Sequence, residues 1–290
     1  MNRSLKPIAA LAVMTALLAA CQPGGAGTTA GPATTDATPS PPPAGASTSP
    51  SPSAAVSASP SPSTSANPGA TAGAGEQQSV RPLYKMNNAY DLVPLEAETS
   101  KKVVLLTFDD GPKDTATLTP ILDALDKHKA KAIFFVNGNR VKAHPELLKE
   151  IDRRGQTIGN HTWSHNDLAK QSNAEIDKEL EDVQAIVKEV VGYAPVFLRP
   201  PFGSSNAYAR QKAEELGLLR MNWSNGSLDW DASTKNKPQL VIQNVLDQLH
   251  PGSNILMHEL PWTAEALDSL LTRLEEQGYG FVDPASIQHP

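Results

Sequence analysis

The sequence predicts an α/β domain on a mostly parallel sheet, open or closed into a barrel, behind a long disordered linker. Strand-like and helix-like segments alternate about seven times between residues 103 and 282. Strand after strand is followed at once by polar, chemically capable residues, and parallel α/β folds build their sites at that carboxyl edge. Ahead of this pattern lies a stretch of Ser, Thr, Ala, Pro and Gly that has almost no apolar surface to bury.

The elements follow in order. Residues 103–108 are a short Val- and Leu-rich run, read as a buried strand. Residues 115–129 carry Leu118, Ile121, Leu122 and Leu125 at helical spacing, with Pro120 near the first turns. A second buried strand is expected at 132–136, then a helix at 145–154 opened by Pro145 and closed before Gly155. Strand 157–160 precedes a long amphipathic helix at 173–191, with Asn173 as its cap and Gly192 at its end. Strands at 196–198, 219–223 and 255–257 alternate with helices at 208–216, 239–249 and 263–277. Phe281 and Val282 start a last short strand.

The amino end reads differently. Arg3 and Lys6 precede an apolar run over residues 7–20, shorter than the roughly 20 residues a spanning helix needs. Residues 1–20 therefore read as a secretory signal peptide. The run ends LAAC, with Cys21 the only cysteine of the chain. This ending resembles the lipobox of bacterial lipoproteins, in which the cysteine is acylated; the alternative is an ordinary signal peptide beside an incidental cysteine. Residues 21–78 form the linker: 11 of the 25 prolines lie between Pro23 and Pro68. A flexible chain of about 55 residues reaches roughly 40 Å r.m.s.. Residues 79–290 suit one domain with a full core. With one cysteine there is no intramolecular disulfide and no cysteine metal cluster, so a metal must use His, Asp or Glu. The formal net charge is -6 with Lys and Arg scattered, which gives no basic face for nucleic acid. No protein partner is evident, and a monomer is expected.

The strand-end segments carry the chemistry. They are Asp109 to Pro112 (DDGP), His161 to His165 (HTWSH), Arg199 to Gly203 (RPPFG), Asp229-Trp230, and His258-Glu259. Asp110, His161 and His165 offer two imidazoles and a carboxylate, a set suited to a borderline divalent metal such as zinc. Asp109 could take a proton from water beside it. Taken alone, DDGP is also a polar turn, and two histidines four apart are also a helical surface pair. Trp163 and Trp230 lie within these segments and could line the site or pack in the core; Trp223 and Trp262 read as core or rim. His128, His144, His250 and His289 read as surface residues.

From Lys102 to His258 the chain resembles the polysaccharide deacetylase family with the NodB homology domain, carbohydrate esterase family 4. TFDDGP at Thr107 to Pro112 resembles the first family motif, in which Asp109 matches the catalytic base and Asp110 a metal ligand. HTWSH resembles the second and supplies His161 and His165 as ligands. RPPFG resembles the third, which lines the groove through Pro201 and Phe202. Arg199 there holds the base, and a backbone N–H near Phe202 helps bind the oxyanion. Asp229-Trp230 resembles the end of the fourth, in which the Asp orients the catalytic histidine. LMH at Leu256 to His258 resembles the fifth, with Leu256 in the acetyl pocket and His258 as general acid. Gly226 stands where the fourth motif often has Asp, which is expected to alter the groove wall. Glu259 stands where Asp often follows the histidine.

The resemblance implies a distorted (β/α) barrel of about seven repeats and one divalent metal, zinc, with cobalt or another divalent ion as the alternative. It implies hydrolysis of N-acetyl groups from a cell-wall glycan, with N-acetylglucosamine of peptidoglycan the foremost substrate. Chitin-like chains, poly-N-acetylglucosamine and acetylxylan are alternatives, as is a non-catalytic sugar-binding surface protein. The expected location is outside the cytoplasm, lipid-anchored to the bacterial membrane through Cys21. The lipobox generates a prediction. Cys21→Ser should release the protein from the membrane fraction or block its maturation, since buried acyl chains supply the hold. A wild-type amino terminus that is unacylated, or cut elsewhere than before Cys21, would overturn the expectation; mass spectrometry reads it directly.

Overall fold

The computed structural model describes residues 81–290. The expected signal peptide, Cys21 and the 21–78 linker lie outside the described residues. The described chain starts with a short antiparallel hairpin, β1 (Tyr84–Met86) and β2 (Leu92–Pro94). There follow β3 (Val103–Gly111), α1 (Thr115–Lys127), β4 (Ala132–Val136), α2 (Gly138–Ala143), α3 (Pro145–Arg153) and β5 (Thr157–Asn160). Next come α4 (Asn173–Val191), β6 (Phe197–Leu198), α5 (Ala207–Glu215), β7 (Leu219–Arg220) and β8 (Asn225–Gly226). The series ends with α6 (Pro238–Asp247), β9 (Ser253–His258), α7 (Pro261–Glu276) and β10 (Gly280–Phe281).

Seven of these strands form one sheet in the order β7-β6-β5-β4-β3-β9-β8, and β10 pairs with the start of β3. Every pairing in it is parallel. The sheet curls into an incomplete barrel, the expected distorted (β/α) form. Side-chain alternation along the strands feeds two separate cores. Val104, Leu106 and Phe108 of β3 face the helices, together with Phe134, Ile255 and Met257. Leu105, Ile133, Phe135 and Phe197 face the barrel interior. Tyr84 and Leu92 of the hairpin join that inner cluster beside Val103 and Leu105, at the amino ends of the strands. The carboxyl ends are left for polar groups: Thr107 and Asp109 continue the inward row of β3 and are buried.

Several expectations are corrected. The strand expected at 219–223 stops at Arg220 as β7, and a crossing segment leads to β8, a further strand that was not expected. The Asn222 carbonyl of that segment accepts from Arg199 Nη2 at 2.9 Å instead of from a neighbouring strand. Helix α4 is capped by Ser172 rather than Asn173; the Glu175 carboxylate accepts from the Ser172 backbone N–H at 2.8 Å. The hairpin and α2 were not anticipated, being too short to show a period. His128 sits at the surface with its ring enclosed between the exposed carboxylates of Asp268 and Glu275, at 3.0 and 2.9 Å. Among the described residues no helix is long and apolar enough to cross a membrane.

Close strand packing generates the next prediction. A Cβ at Gly159 would lie 2.5 Å from Phe135 Cδ1 and 3.0 Å from Ile133 Cγ2. Gly159→Ala should therefore lower the unfolding free energy by about 1–3 kcal/mol through overpacking. Urea unfolding should show a lower midpoint at an unchanged slope; an unmoved midpoint would show that the interior has slack there.

Candidate active site

Asp109 is the last inward residue of β3, and its orientation is fixed from the barrel interior. Arg199, just past the end of β6, is fully buried. Its Nη1 donates to Asp109 Oδ1 at 2.8 Å and to Thr107 Oγ1 at 2.6 Å. Thr107 in turn donates to the Ile255 carbonyl of β9. The second guanidinium nitrogen donates to Asn222 O and Asn254 Oδ1. Asp109 thus has one oxygen committed to Arg199 and the other, Oδ2, facing His161 Nε2 at 3.7 Å.

Asp110, His161 and His165 converge beside it. One ligand atom from each lies within 4.8 Å of the other two. Asp110 Oδ1 is 3.6 Å from His161 Nε2 and 3.3 Å from His165 Nε2. His161 Nδ1 lies 2.7 Å from the Arg199 carbonyl. A carbonyl only accepts, so Nδ1 carries the proton and the Nε2 lone pair points at Asp110. Burial pushes His161 below the ordinary imidazole pKa, against the attraction of Asp109 and Asp110. Asp110 Oδ1 is buried without a hydrogen-bond partner. Burial alone would raise the Asp110 pKa; the imidazoles of His161, His258 and His165 around it outweigh burial and hold the carboxyl low. Two imidazoles and an orphaned carboxylate oxygen fit a divalent cation.

His258 closes the opposite side from the end of β9. Its Nδ1 and its backbone N–H both donate to the Asp229 carboxylate, each at 2.7 Å. Asp229 is fully buried and also accepts from Thr263 Oγ1 at 2.7 Å. Burial by itself would lower the His258 pKa; the Asp229 hydrogen bond and charge outweigh it, and the imidazole is raised.

These groups line one cleft of about 400 Å3 with Pro200, Phe202, Trp223, Trp230 and Leu256. Phe202 and Trp230 are 69% and 44% exposed, so they stand on the rim rather than in the core. Of the expected substrate contacts, Phe202, Trp230 and Leu256 line the cleft, while Pro201 is buried in its turn and Pro200 forms the wall. Trp163 covers Gly138 and borders a separate groove against α4. Trp223 was left as core or rim, and it meets Trp230 edge-on at 6.3 Å.

Residues 96–221 match the polysaccharide deacetylase family. PgdA of Listeria monocytogenes, a peptidoglycan-N-acetylglucosamine deacetylase, is 40% identical over 189 residues. That match takes in 64% of this chain but only 39% of the relative's length. PdaA of Bacillus subtilis, a peptidoglycan-N-acetylmuramic acid deacetylase, is 34% identical over 203 residues, 69% of this chain and 76% of the relative. The chain belongs to the polysaccharide deacetylase family. Its class is therefore that of the deacetylase hydrolases. Among solved structures, a carbohydrate esterase family 4 pseudoenzyme from Bacillus anthracis superposes with a TM-score of 0.60 at 30% identity. It covers 65% of this chain and 67% of its own.

Two departures from the family pattern acquire a structural meaning. Gly226 lies beside the two indoles of the cleft: a Cβ there would stand in ordinary contact with Trp230 at 3.4 Å and Trp223 Nε1 at 3.6 Å. Glu259 is buried behind the loop that follows β3; its Oε2 accepts from the Lys113 N–H at 3.1 Å. Gly111 passes against the same carboxylate, which a Cβ there would strike. This brace is not legible along the chain, because Glu259 meets the loop only in three dimensions.

The buried pair of this deacetylase fold yields a stability prediction. Arg199→Met leaves Asp109 buried without its cation, a loss of about 3–5 kcal/mol. Adding Asp109→Asn should return part of that loss, because the uncompensated charge goes with it. Strictly additive effects in chemical denaturation would show that the two side chains are not energetically coupled.

Proposed function

We propose that the protein hydrolyses N-acetyl groups of N-acetylglucosamine in peptidoglycan, with a zinc ion held by Asp110, His161 and His165. The observation that carries this reading is the meeting of that trio with Asp109 and His258 in one cleft. When bound, the ion would supply Lewis acidity toward an amide carbonyl and its attacking water. Asp109 would take the proton of that water on Oδ2, a reading supported by the hydrogen bond that commits Oδ1 to Arg199. The Phe202 backbone N–H would add a donor for the negative charge that develops on the carbonyl oxygen. His258 Nε2 would deliver a proton to the amide nitrogen as the C–N bond breaks, because an unprotonated amine leaves poorly. Asp229 keeps the ring oriented with Nδ1–H toward it. The products are acetate and a free amino sugar.

The substrate reading draws on the Listeria relative, whose name specifies peptidoglycan N-acetylglucosamine, and on the exposed aromatic rim suited to sugar rings. Acylation of Cys21 would tether the domain outside the cytoplasm, with the linker giving it reach into the wall.

Metal content and turnover test the roles together. His161→Ala should lose the ion and activity. Asp109→Asn and His258→Ala should keep the ion and glycan binding, while turnover falls by about a hundredfold or more. Metal loss in Asp109→Asn, or near-normal amide hydrolysis in His258→Ala, would overturn the assignment. Sugar analysis of treated peptidoglycan should find glucosamine; muramic acid without glucosamine would move the reaction to the neighbouring sugar.

A further inference from the structure

The loop after β3 borders two clefts. Asp109 and Asp110 face the one already described. A few residues on, Pro112 and Lys113 wall a second, of about 360 Å3, with Asn139, Arg140, Ala143 and His144. Both clefts open at the carboxyl edge of the sheet, because Asn139 and Arg140 follow directly on β4.

The second cleft collects positive charge in a chain whose formal net charge is -6. Other enclosed cations are held by named partners: Arg154 pairs with Asp123 and Asp126, Arg199 with Asp109, and Lys212 with Asp177 and Glu181, while Lys131 donates to the Arg154 carbonyl and Arg220 to the Tyr90 hydroxyl. Lys113 and Arg140 are only partly exposed, yet neither side chain forms an ion pair among the described residues. His144 reaches Glu146 alone, at 3.4 Å. The buried Glu259 carboxylate accepts from the Lys113 backbone N–H and not from the ammonium. Burial lowers the Lys113 pKa; Asp110 opposes this, and the like charge of Arg140 reinforces it. Asp110, Glu259 and Asp229 attract Lys113 without reaching ion-pair distance, the two cations repel each other, and an anion seated between them relieves that repulsion.

We propose that this cleft is an anion subsite, which takes a carboxylate borne by the glycan whose N-acetyl group occupies the catalytic cleft. The proposal rests on the deacetylase reading for its polymer and adds a basis for choosing among polymers. Peptidoglycan carries such carboxylates, on the lactyl ether of muramic acid or on the peptide built from it. A chitin chain is neutral and has nothing to place there. Lys113 and Arg140 would thus be specificity residues: they reward a charged glycan without touching the scissile amide. The guanidinium gives the paired N–H donors that a carboxylate matches, and the ammonium adds a point charge.

Calorimetry on the metal-loaded Asp109→Asn protein, which should bind without turnover, reads the subsite directly. Three tetrasaccharides serve as probes: the N-acetylglucosamine tetramer, the alternating N-acetylglucosamine and N-acetylmuramic acid chain with free lactyl carboxylates, and that chain bearing stem peptides. An anionic chain should bind about tenfold more tightly than the neutral one, the scale of one charge-assisted contact. The preference should shrink as salt is added. Preference for the free lactyl chain identifies the lactyl carboxylate; preference for the peptide-bearing chain alone identifies the peptide. Lys113→Gln with Arg140→Gln should abolish the preference, and each single change at an unaltered melting temperature should remove part of it. Equal affinity for neutral and charged chains, or a preference that survives both substitutions, would overturn the subsite. Wild-type turnover on the neutral tetramer is measured separately; its absence would strike the deacetylase reading and leave the binding result to judge the cleft.

Discussion

A guanidinium with no solvent contact is the constraint on which the site depends. Arg199 lies over the Phe135 ring at 4.4 Å and donates to β3, to β9 and to the segment between β7 and β8. Burying that charge is costly, and it is tolerated because Asp109 and three neutral acceptors surround it. The same residue accepts His161 Nδ1 on its backbone carbonyl. One side chain therefore sets the orientation of the acid beside the cation trio, and its backbone sets the tautomer of a trio member. It also pins the segment that crosses the open seam of the barrel. Chemistry and closure of the fold are not independent here.

The loops around this anchor carry backbone conformations that side chains normally avoid. Asp110, Thr162, His165 and Phe202 have φ of 66°, 67°, 60° and 58°. Left-handed backbone costs a residue with a Cβ about 1–2 kcal/mol. Such positions persist where the surroundings over-determine them. Here Asn160 Oδ1 takes the Thr162 N–H, Thr162 Oγ1 takes the His165 N–H, and the Glu179 carboxylate takes the Ser164 N–H. The His165 ring then packs edge-on to both His161 and Phe202 at 4.9 Å. The local strain turns side chains into the cleft that regular strands would have sent elsewhere.

These strained turns also explain what could be read beforehand. Residues 132–136 and 157–160 were legible as strands to the residue, because a buried parallel strand is a bounded apolar run. The polar residues of the cleft were legible because they sit where such strands stop. Elements of two or three residues, such as β1, β2 and β8, have no period to detect and owe their existence to tertiary partners. The same holds for side chains. Asp109, Asp110, His161, His165, Arg199 and His258 stand in recognisable strings, and the structure gathers them around one cleft. The support from Glu259, the move of the groove wall from Pro201 to Pro200, and the cations at Lys113 and Arg140 depend on which loops meet in space. No spacing along the chain encodes that.

A family member of this fold that is a pseudoenzyme shows that the barrel alone does not decide activity. The division of labour among strands explains how fold and activity can separate. The inner and outer cores are built from residues that face away from the cleft or lie at the amino ends. Asp110, His165 and His258 contribute nothing to either core. Each can change while the sheet and its helices persist. Arg199 and Asp109 are different, since removing either strands a buried partner and threatens the seam. A chain that lost its chemistry without losing its fold would therefore be expected to change first at the cleft-facing positions. This chain keeps a chemically competent group at every one of them: the trio, the carboxylate on Arg199 and the imidazole on Asp229. It is that set, rather than the barrel beneath it, that argues for catalysis.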